Sequence, residues 1–341
     1  MKAAICSGGT GGHMFPACAL YEAASERGHD VTIITDLRGD AFCDGVSEKM
    51  VFDTIRFSRG NFLRALYCSL LLLVKFFGFW IQKRPDVVVG FGGVFTVIPL
   101  VISKILGSEI VICEQNAVIG KANRFLGKLA NLKLSSFKLE GDWKEIPAPV
   151  REGFTKSAPY ECDGILKILV IGGSQGAASF SKIVPKALAA LDSSERRNVE
   201  IVQQAGYGEV EELREIYRTL GVKATVKDFV HDVAEIMSNS QLVICRSGAS
   251  TLSELSATGR PAVLIPYPDS SDNHQFYNAL YYKNKKAAWV LQEKEDTGEE
   301  LGKMLRQFLQ KRELLKIASS HMMNDSVRCA TESFMELIGL V

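Results

Sequence analysis

The 341-residue chain has no Cys-x-x-Cys pair, no Walker A Gly-Lys-Ser/Thr, no His-Glu-x-x-His, no EF-hand loop and no kinase signature. Those absences exclude the commonest zinc, redox, calcium and P-loop chemistries. Its eight cysteines (6, 18, 43, 68, 113, 162, 245 and 329) stand singly. They read as small buried hydrophobes in a reducing compartment, not as a disulfide framework. Net charge is nearly absent as well. Forty basic against thirty-nine acidic residues give +1, which excludes a generally cationic nucleic-acid binder. A membrane-crossing helix needs ~20 apolar residues in a row, and the longest apolar stretch is interrupted by Arg64 and Lys75. The apolar start, Met1 to Cys6, is too short for a signal h-region and is cut off by glycines, so a cytosolic chain is expected.

What is present is ordinary in bulk: 47% apolar and 23% charged residues, enough for proper cores. At ~150 residues per domain the length predicts two domains. Locally, acid is missing. From Thr54 to Pro85 the chain carries Arg56, Arg59, Arg64, Lys75, Lys83 and Arg84 and no acidic residue, interleaved with aromatics up to Phe79-Trp80. A second acid-free stretch, Gln115 to Leu139, carries Lys121, Arg124, Lys128, Lys133 and Lys138. A buried helix of an α/β layer would explain the apolar run but not the missing acids. Attachment to an anionic membrane surface explains both.

Continuous apolar runs alternate with helical patterns. Lys2–Ser7, Val31–Thr35, Val87–Gly90, Ile110–Cys113, Lys167–Ile171, Val199–Gln203, Thr225–Phe229, Leu242–Cys245 and Ala262–Ile265 read as short parallel strands covered on both faces. The fold class is α/β with parallel sheets. The pattern repeats: Lys2 to Gly12 and Lys167 to Gly176 are each a strand, a glycine loop and a helix start. Pro147-Ala148-Pro149 and Ser157-Ala158-Pro159 between them look like linker punctuation. Two doubly wound domains facing each other would place a cleft at the carboxyl ends of their strands.

The loops offer several chemistries. Each glycine turn lets a diphosphate approach backbone and a helix N-terminus. His13 stands at the mouth of the first, with Pro16 suited to the first helical turn. A helix start disfavours the charged imidazole, the state a general base must avoid. Spacing alone leaves base and loop-bonding histidine equal. Thr251-x-x-Glu254 fits a capping box, so structure alone accounts for Glu254, although a carboxylate there could accept ribose hydroxyls. Asp269 to Gln275 and Glu114-Gln115-Asn116 read equally as plain loops and as sugar-hydroxyl binders. Gly172-Gly173-Ser174-Gln175-Gly176 fits a nucleophile elbow, with Asp269 or Asp272 as acid and His321 as base.

Six segments together resemble a known family. Gly8-Gly9-Thr10-Gly11-Gly12-His13-x-x-Pro16, Glu114-Gln115-Asn116, Pro149-Val150-Arg151, Gly172 to Gly176, Cys245-Arg246-Ser247-Gly248-Ala249 and Asp272-Asn273-His274-Gln275 occur in that family's order across nearly the whole chain. The family is glycosyltransferase family 28, the bacterial enzymes that add N-acetylglucosamine (GlcNAc) to lipid I. The resemblance implies a GT-B fold: residues 1–149 as an acceptor- and membrane-binding domain, 150–324 as a UDP-GlcNAc-binding domain, and a C-terminal helix, 325–341, packing back on the first. It implies an inverting transfer without metal or other cofactor, and no strict Asp-x-Asp occurs to contradict that.

By position in the family pattern, His13 is the base and Thr10, Gly11 and Gly12 line the cleft. Asn116 contacts the donor sugar, and Arg151 and Ser174 serve the nucleotide. Val230 presents its backbone to uracil. Ala249, Ser250, Thr251 and Leu252, with Ser253 beside them, hold the diphosphate. Glu254 takes the ribose, and Gln275 the GlcNAc hydroxyls. The implied partners are UDP-GlcNAc, lipid I, the anionic cytoplasmic face of the inner membrane, where the protein would be peripheral, and other cell-wall enzymes. One departure stands out: where the family reads Gly-x-Gly-Gly-Tyr-x-Ser, this chain has Gly90-Phe91-Gly92-Gly93-Val94-Phe95-Thr96, with Pro99 displaced by one. No acceptor contact is carried over to that loop. A UDP-GlcNAc epimerase, a serine hydrolase using Ser174 and a UDP-sugar sensor remain as other readings.

Overall fold

The computed structural model describes all residues except 54–61, 173–177, 207 and 341, and all side chains of the described residues except those of 62–66 and 325. Arg56, Arg59 and Ser174 therefore lie outside the described residues, as does the Arg64 side chain. The chain divides into two compact units, Met1–Arg151 with Ser326–Val341, and Glu152–Asp325. The expected divisions at 149/150 and 324/325 thus fall slightly early: Val150 and Arg151 pack with the first unit.

The first unit runs β1 (Lys2–Cys6), α1 (Gly11–Glu26), β2 (Asp30–Asp36), α2 (Leu37–Asp40), β3 (Lys49–Phe52), α3 (Phe62–Lys83), β4 (Val87–Gly90), α4 (Val97–Ile105), β5 (Glu109–Glu114), α5 (Lys121–Leu126), β6 (Leu132–Ser135) and β7 (Lys144–Glu145). The second runs α6 (Glu152–Thr155), β8 (Leu166–Ile171), α7 (Phe180–Ala189), α8 (Ser193–Arg196), β9 (Val199–Gln204), α9 (Val210–Leu220), β10 (Lys223–Lys227), α10 (Val233–Ser238), β11 (Leu242–Cys245), α11 (Ala249–Thr258), β12 (Ala262–Leu264), α12 (His274–Asn284), β13 (Ala288–Val290), α13 (Thr297–Gln310) and α14 (Glu313–Met322). Two short helices, α15 (Asp325–Arg328) and α16 (Ala330–Leu337), close the chain.

The sheets are ordered β3-β2-β1-β4-β5-β6-β7 and β10-β9-β8-β11-β12-β13. All pairings among the described strands are parallel. Both orders contain the doubly wound 3-2-1-4-5-6 arrangement, whose direction reverses between β1 and β4 and between β8 and β11. Residues of β1 show why its run is unbroken: Ala3 and Ile5 enter one core layer, Ala4 and Cys6 the other. Each such buried Val, Ile or Leu contributes about 1.5–3 kcal/mol.

The strands that sequence patterning misses are β3, β6, β7 and β13. All lie at or next to a sheet edge, where the strands are only partly buried and no continuous apolar run is needed. The tenth strand also begins and ends earlier than expected. It stops at Lys227, and Phe229 instead donates its N–H to the Asp228 carboxylate and is exposed. Pro16 is not in the first turn of α1, which starts at Gly11; it stands in the second, where it removes one helical hydrogen bond. The proline-rich stretch near residue 148 is not a free linker, because Ala148 is buried in the first unit's core and donates its N–H to Ser136.

Residues 326–340 pack into the first unit, with α16 against α1. Phe334 is fully buried and stacks on Phe91 at 5.7 Å, while Arg27 pairs with Glu332 at 3.0 Å. Six cysteines are buried; Cys162 is half-buried and Cys329 exposed.

Candidate active site

In doubly wound sheets ligands bind beyond the carboxyl ends of the strands where the order reverses. In the first unit that point lies after β1 and β4, where the sequence places Gly8 to Gly12 and Gly90 to Gly93. Gly9 has φ +90 and Gly92 and Gly93 have φ +92 and +86, conformations that L side chains rarely adopt. The buried Asp36 at the end of β2 holds the loop: it accepts from Gly9 N at 3.0 Å and Gly39 N at 2.9 Å and pairs with Arg38 at 2.7 Å. Burial opposes its charge, but the Arg38 guanidinium and the two amides outweigh that and hold its carboxyl below the usual carboxylate range.

His13 is the third residue of α1 and half-buried. Its Nδ1 lies 2.9 Å from Oε1 of Gln115, just beyond β5, and Gln115 Nε2 donates to the Cys113 carbonyl at 3.0 Å. Gly92 lies against the same ring: a Cβ there would stand 3.1 Å from His13 Cε1. Next along, Glu114 is buried and accepts from the backbone and side chain of Asn116, from Gly120 N and from Asn123 Nδ2. The loop carrying Asn116 is thus built around one carboxylate. Arg151 stacks its guanidinium over Phe15 of α1 at 4.3 Å. Among the candidate residues of this unit, His13 and the loop Thr10–Gly12 are contiguous, and Gln115 joins Asn116's strand end to them.

In the second unit the equivalent point lies after β8 and β11. The loop after β8, with Ser174, is outside the described residues. After β11 the chain passes Arg246, Ser247 and Gly248 into α11. The capping-box expectation fails here: the residue before the helix is Gly248, no side chain caps it, and Thr251 and Glu254 both lie inside the helix. Gly248 has φ −66, open to any residue, and a Cβ there would meet nothing within 4 Å. Space is therefore left beside a helix start whose first amides have no acceptor within the helix.

Two networks set that helix start. Arg246 is buried between the Phe180 and Tyr267 rings, donates to the Ile265 and Pro266 carbonyls, and pairs with Glu293 at 2.6 Å. Ser247 donates its hydroxyl to the Gln275 carbonyl at 2.7 Å, and Asn278 donates to the Ser247 carbonyl at 3.1 Å. The start of α11 and the start of α12 are thereby tied together, bringing Gln275 to the same end of the sheet as Ala249–Ser253. Gln275 Oε1 accepts from Tyr267 N at 3.0 Å. Just before α12, Asp272 and Asn273 both adopt left-handed backbone, φ 50 and 54, in a loop that positions His274 and Gln275. Glu254 is buried one turn into α11, and Val230 is buried ahead of α10, which packs on α11.

Helix α3 has two apolar faces. Leu72, Phe76 and Phe79 enter the core, while Tyr67, Leu70, Leu73, Val74, Phe77 and Ile81 are exposed, Val74 by 65%. Lys75 is exposed between them, and Lys121, Arg124 and Lys128 are exposed on and after α5. Lys83 and Lys133, by contrast, pair with Asp30 and Asp142. Among the described residues no helix is long and apolar enough to cross a membrane, and no three His, Cys, Asp or Glu side chains group as a metal site. Val94, where the family pattern has tyrosine, is 81% exposed.

Sequence patterning misses Asp36 and the role of Gln115, because each acts on a loop distant in the chain. Their signals are an acid at the end of a strand beside a glycine loop, and an amide flanked by Glu114 and Asn116. The hydrolase expectation finds His321 exposed near the end of α14 and Asp269 and Asp272 exposed in another loop.

Comparison with known proteins bears on both units. Residues 3–133 match the glycosyltransferase family 28 N-terminal domain and residues 167–334 its C-terminal domain. A UDP-N-acetylglucosamine--N-acetylmuramyl-(pentapeptide) pyrophosphoryl-undecaprenol N-acetylglucosamine transferase of Rhodospirillum centenum is 38% identical over 322 residues, 89% of this chain and 85% of that one. The crystal structure of MurG from Acinetobacter baumannii aligns over 100% of both chains with a TM-score of 0.80 and 26% identity. A Listeria monocytogenes structure described as a UDP-N-acetylglucosamine 2-epimerase aligns over 99% of this chain and 95% of its own, with a TM-score of 0.69 but 12% identity, and so shares the fold alone.

Proposed function

The chain belongs to glycosyltransferase family 28, and from that premise we propose that it transfers GlcNAc from UDP-GlcNAc, with inversion, to the 4-hydroxyl of MurNAc in lipid I, giving lipid II for peptidoglycan synthesis. The observation that carries this is 38% identity, spread over 89% of the chain, to a transferase of that name. Fold alone would not separate it from an epimerase; identity along both units does. The hydrolase reading yields to the same observation.

Within this reading the two units divide the chemistry. In the first, His13 accepts the proton of the attacking hydroxyl at Nε2 as the new C1–O bond forms. The C1–O bond to the diphosphate breaks, and its electron pair leaves with UDP. In the second, charge growing on the diphosphate is met by the first-turn backbone N–H groups of α11, Ala249 to Thr251, which do a metal ion's task, while Leu252, whose N–H bonds to the Gly248 carbonyl, and Ser253 border the same site. The open space at Gly248 supports that assignment. Glu254 takes the ribose, the backbone at Val230 the uracil, and Gln275 and Asn116 the GlcNAc. Arg151 and Ser174 serve the nucleotide, and Thr10, Gly11 and Gly12 the approach to His13.

The exposed apolar face of α3 and the basic residues Lys75, Lys121, Arg124 and Lys128 support peripheral attachment to the anionic cytoplasmic face of the inner membrane, where a polyprenyl-linked acceptor is held. Neighbouring cell-wall enzymes would meet it there. The deciding experiment is radiolabel transfer from UDP-GlcNAc to a short-chain lipid I analogue in detergent with chelator present. Labelled lipid product is expected. Donor binding without transfer would return the epimerase or sensor reading.

A further inference from the structure

We infer that Gln115 is a positioning residue that locks His13 in the tautomer with its proton on Nδ1, leaving Nε2 as the basic nitrogen. This rests on the reading of His13 as the base and names what makes it one.

The inference follows from what a carboxamide can do. Gln115 is 1% exposed, and its two ends are not interchangeable here. One end faces the Cys113 carbonyl, which only accepts, so the amide Nε2 must lie there, at 3.0 Å. Asn123 Nδ2 reaches the same carbonyl at 3.1 Å and is itself held by Glu114 at 2.9 Å, so the carbonyl is fixed from a second side. The other end of Gln115 is then an oxygen, and it faces His13 Nδ1 at 2.9 Å. An oxygen acceptor there requires Nδ1 to carry the hydrogen, which puts the lone pair of the neutral ring on Nε2.

Room for the ring beside Gln115 depends on Gly92, at φ +92: a Cβ there would stand 3.1 Å from Cε1 and 3.2 Å from Nδ1, so a side chain at that position would press the ring out of this hydrogen bond. Gln115 also differs from the carboxylate that orients histidine in serine hydrolases: it fixes the tautomer without adding a negative charge beside the ring.

The test is 15N NMR of the full-length protein labelled at histidine. Five histidines are present, and His13 is assigned by the resonance missing in His13→Ala. The wild-type ring is expected to carry hydrogen on Nδ1 and none on Nε2. In Gln115→Leu it should shift toward the Nε2–H form, with kcat lower by roughly 10- to 100-fold, the scale on which removal of a ligand-orienting partner acts, and UDP affinity unchanged. A wild-type ring protonated on Nε2 overturns the inference even if the variant does not fold. So does a kcat loss in Gln115→Leu with the tautomer unmoved. Wild-type turnover in His13→Ala would instead overturn the base reading on which the inference rests, whatever the tautomer.

Discussion

The two units are built on the same strand order yet present different chemistry at the same topological point. After β1 and β4 the first unit offers side chains: a histidine, the glutamine that holds it, and an aspartate that holds the glycine loop. After β11 the second offers main chain, a helix start preceded by a glycine that no side chain caps and that leaves open space. The polar side chains at that point, Arg246, Ser247 and Asn278, bond to neighbouring main chain, to the Ser179 hydroxyl or to Glu293 and fix the helix in place. On the proposed reading, one doubly wound frame serves proton transfer where its loop positions a titratable group, and anion binding where its loop clears room for backbone amides.

If that division is right, the units should fail differently. The largest effect is expected from His13→Ala, which should lower kcat by ~10²–10⁴ while leaving UDP affinity nearly unchanged, as for removal of a general base. Steady-state kinetics with calorimetric UDP binding separates the two, and equal losses in both would dissolve the distinction. A smaller and opposite pattern is expected from Gly248→Ala. Its backbone at φ −66 and ψ 141 suits alanine, and the Cβ meets nothing, so the melting temperature should hold or rise slightly. A diphosphate drawn to the α11 amides would meet that methyl. Losing one charge-assisted contact of about 1.5–3 kcal/mol weakens UDP binding roughly 10- to 100-fold. A Gly248→Ala protein that binds UDP as tightly as wild type would mean the diphosphate lies elsewhere.

The same contrast shows which parts of the molecule sequence can reveal. Central strands such as β4 and β11, buried on both faces, leave unbroken apolar runs that name them. At the edges β7 is two exposed residues, Lys144 and Glu145, and nothing in the pattern marks it. The glycine loops of the first unit are legible because positive φ restricts the residue type, as at Gly9, Gly92 and Gly93. Thr251 and Glu254 misled because their spacing fits a cap, but a cap also needs the helix to begin there, and Gly248 starts it earlier. Gln115 and His13 are 102 residues apart, and only the fold brings them to one hydrogen bond. Of the site, then, the loops could be read from the sequence, and the groups that orient them could not.

The first unit differs from the second in one further respect, its exposed apolar helix, and here the expected effect of each substitution is smallest. Exposed Lys75, Lys121 and Lys128 stand in stretches without acid, so each should add attraction to an anionic surface, about 1 kcal/mol per charge near the surface. Changing all three to Gln should therefore weaken sedimentation with phosphatidylglycerol-containing vesicles by about 3 kcal/mol, while binding to UDP stays as it was. Lys83 is the internal control: its ammonium already pairs with Asp30 at 3.0 Å, so Lys83→Gln should change vesicle binding least. Raising salt should erase the charge contribution but leave that of Tyr67, Val74 and Phe77, whose burial in the acyl boundary does not depend on ionic strength. Vesicle binding unchanged in the triple variant and insensitive to salt would make the acid-free stretches an accident of composition. The apolar face of α3 would then need a protein partner instead of a lipid one.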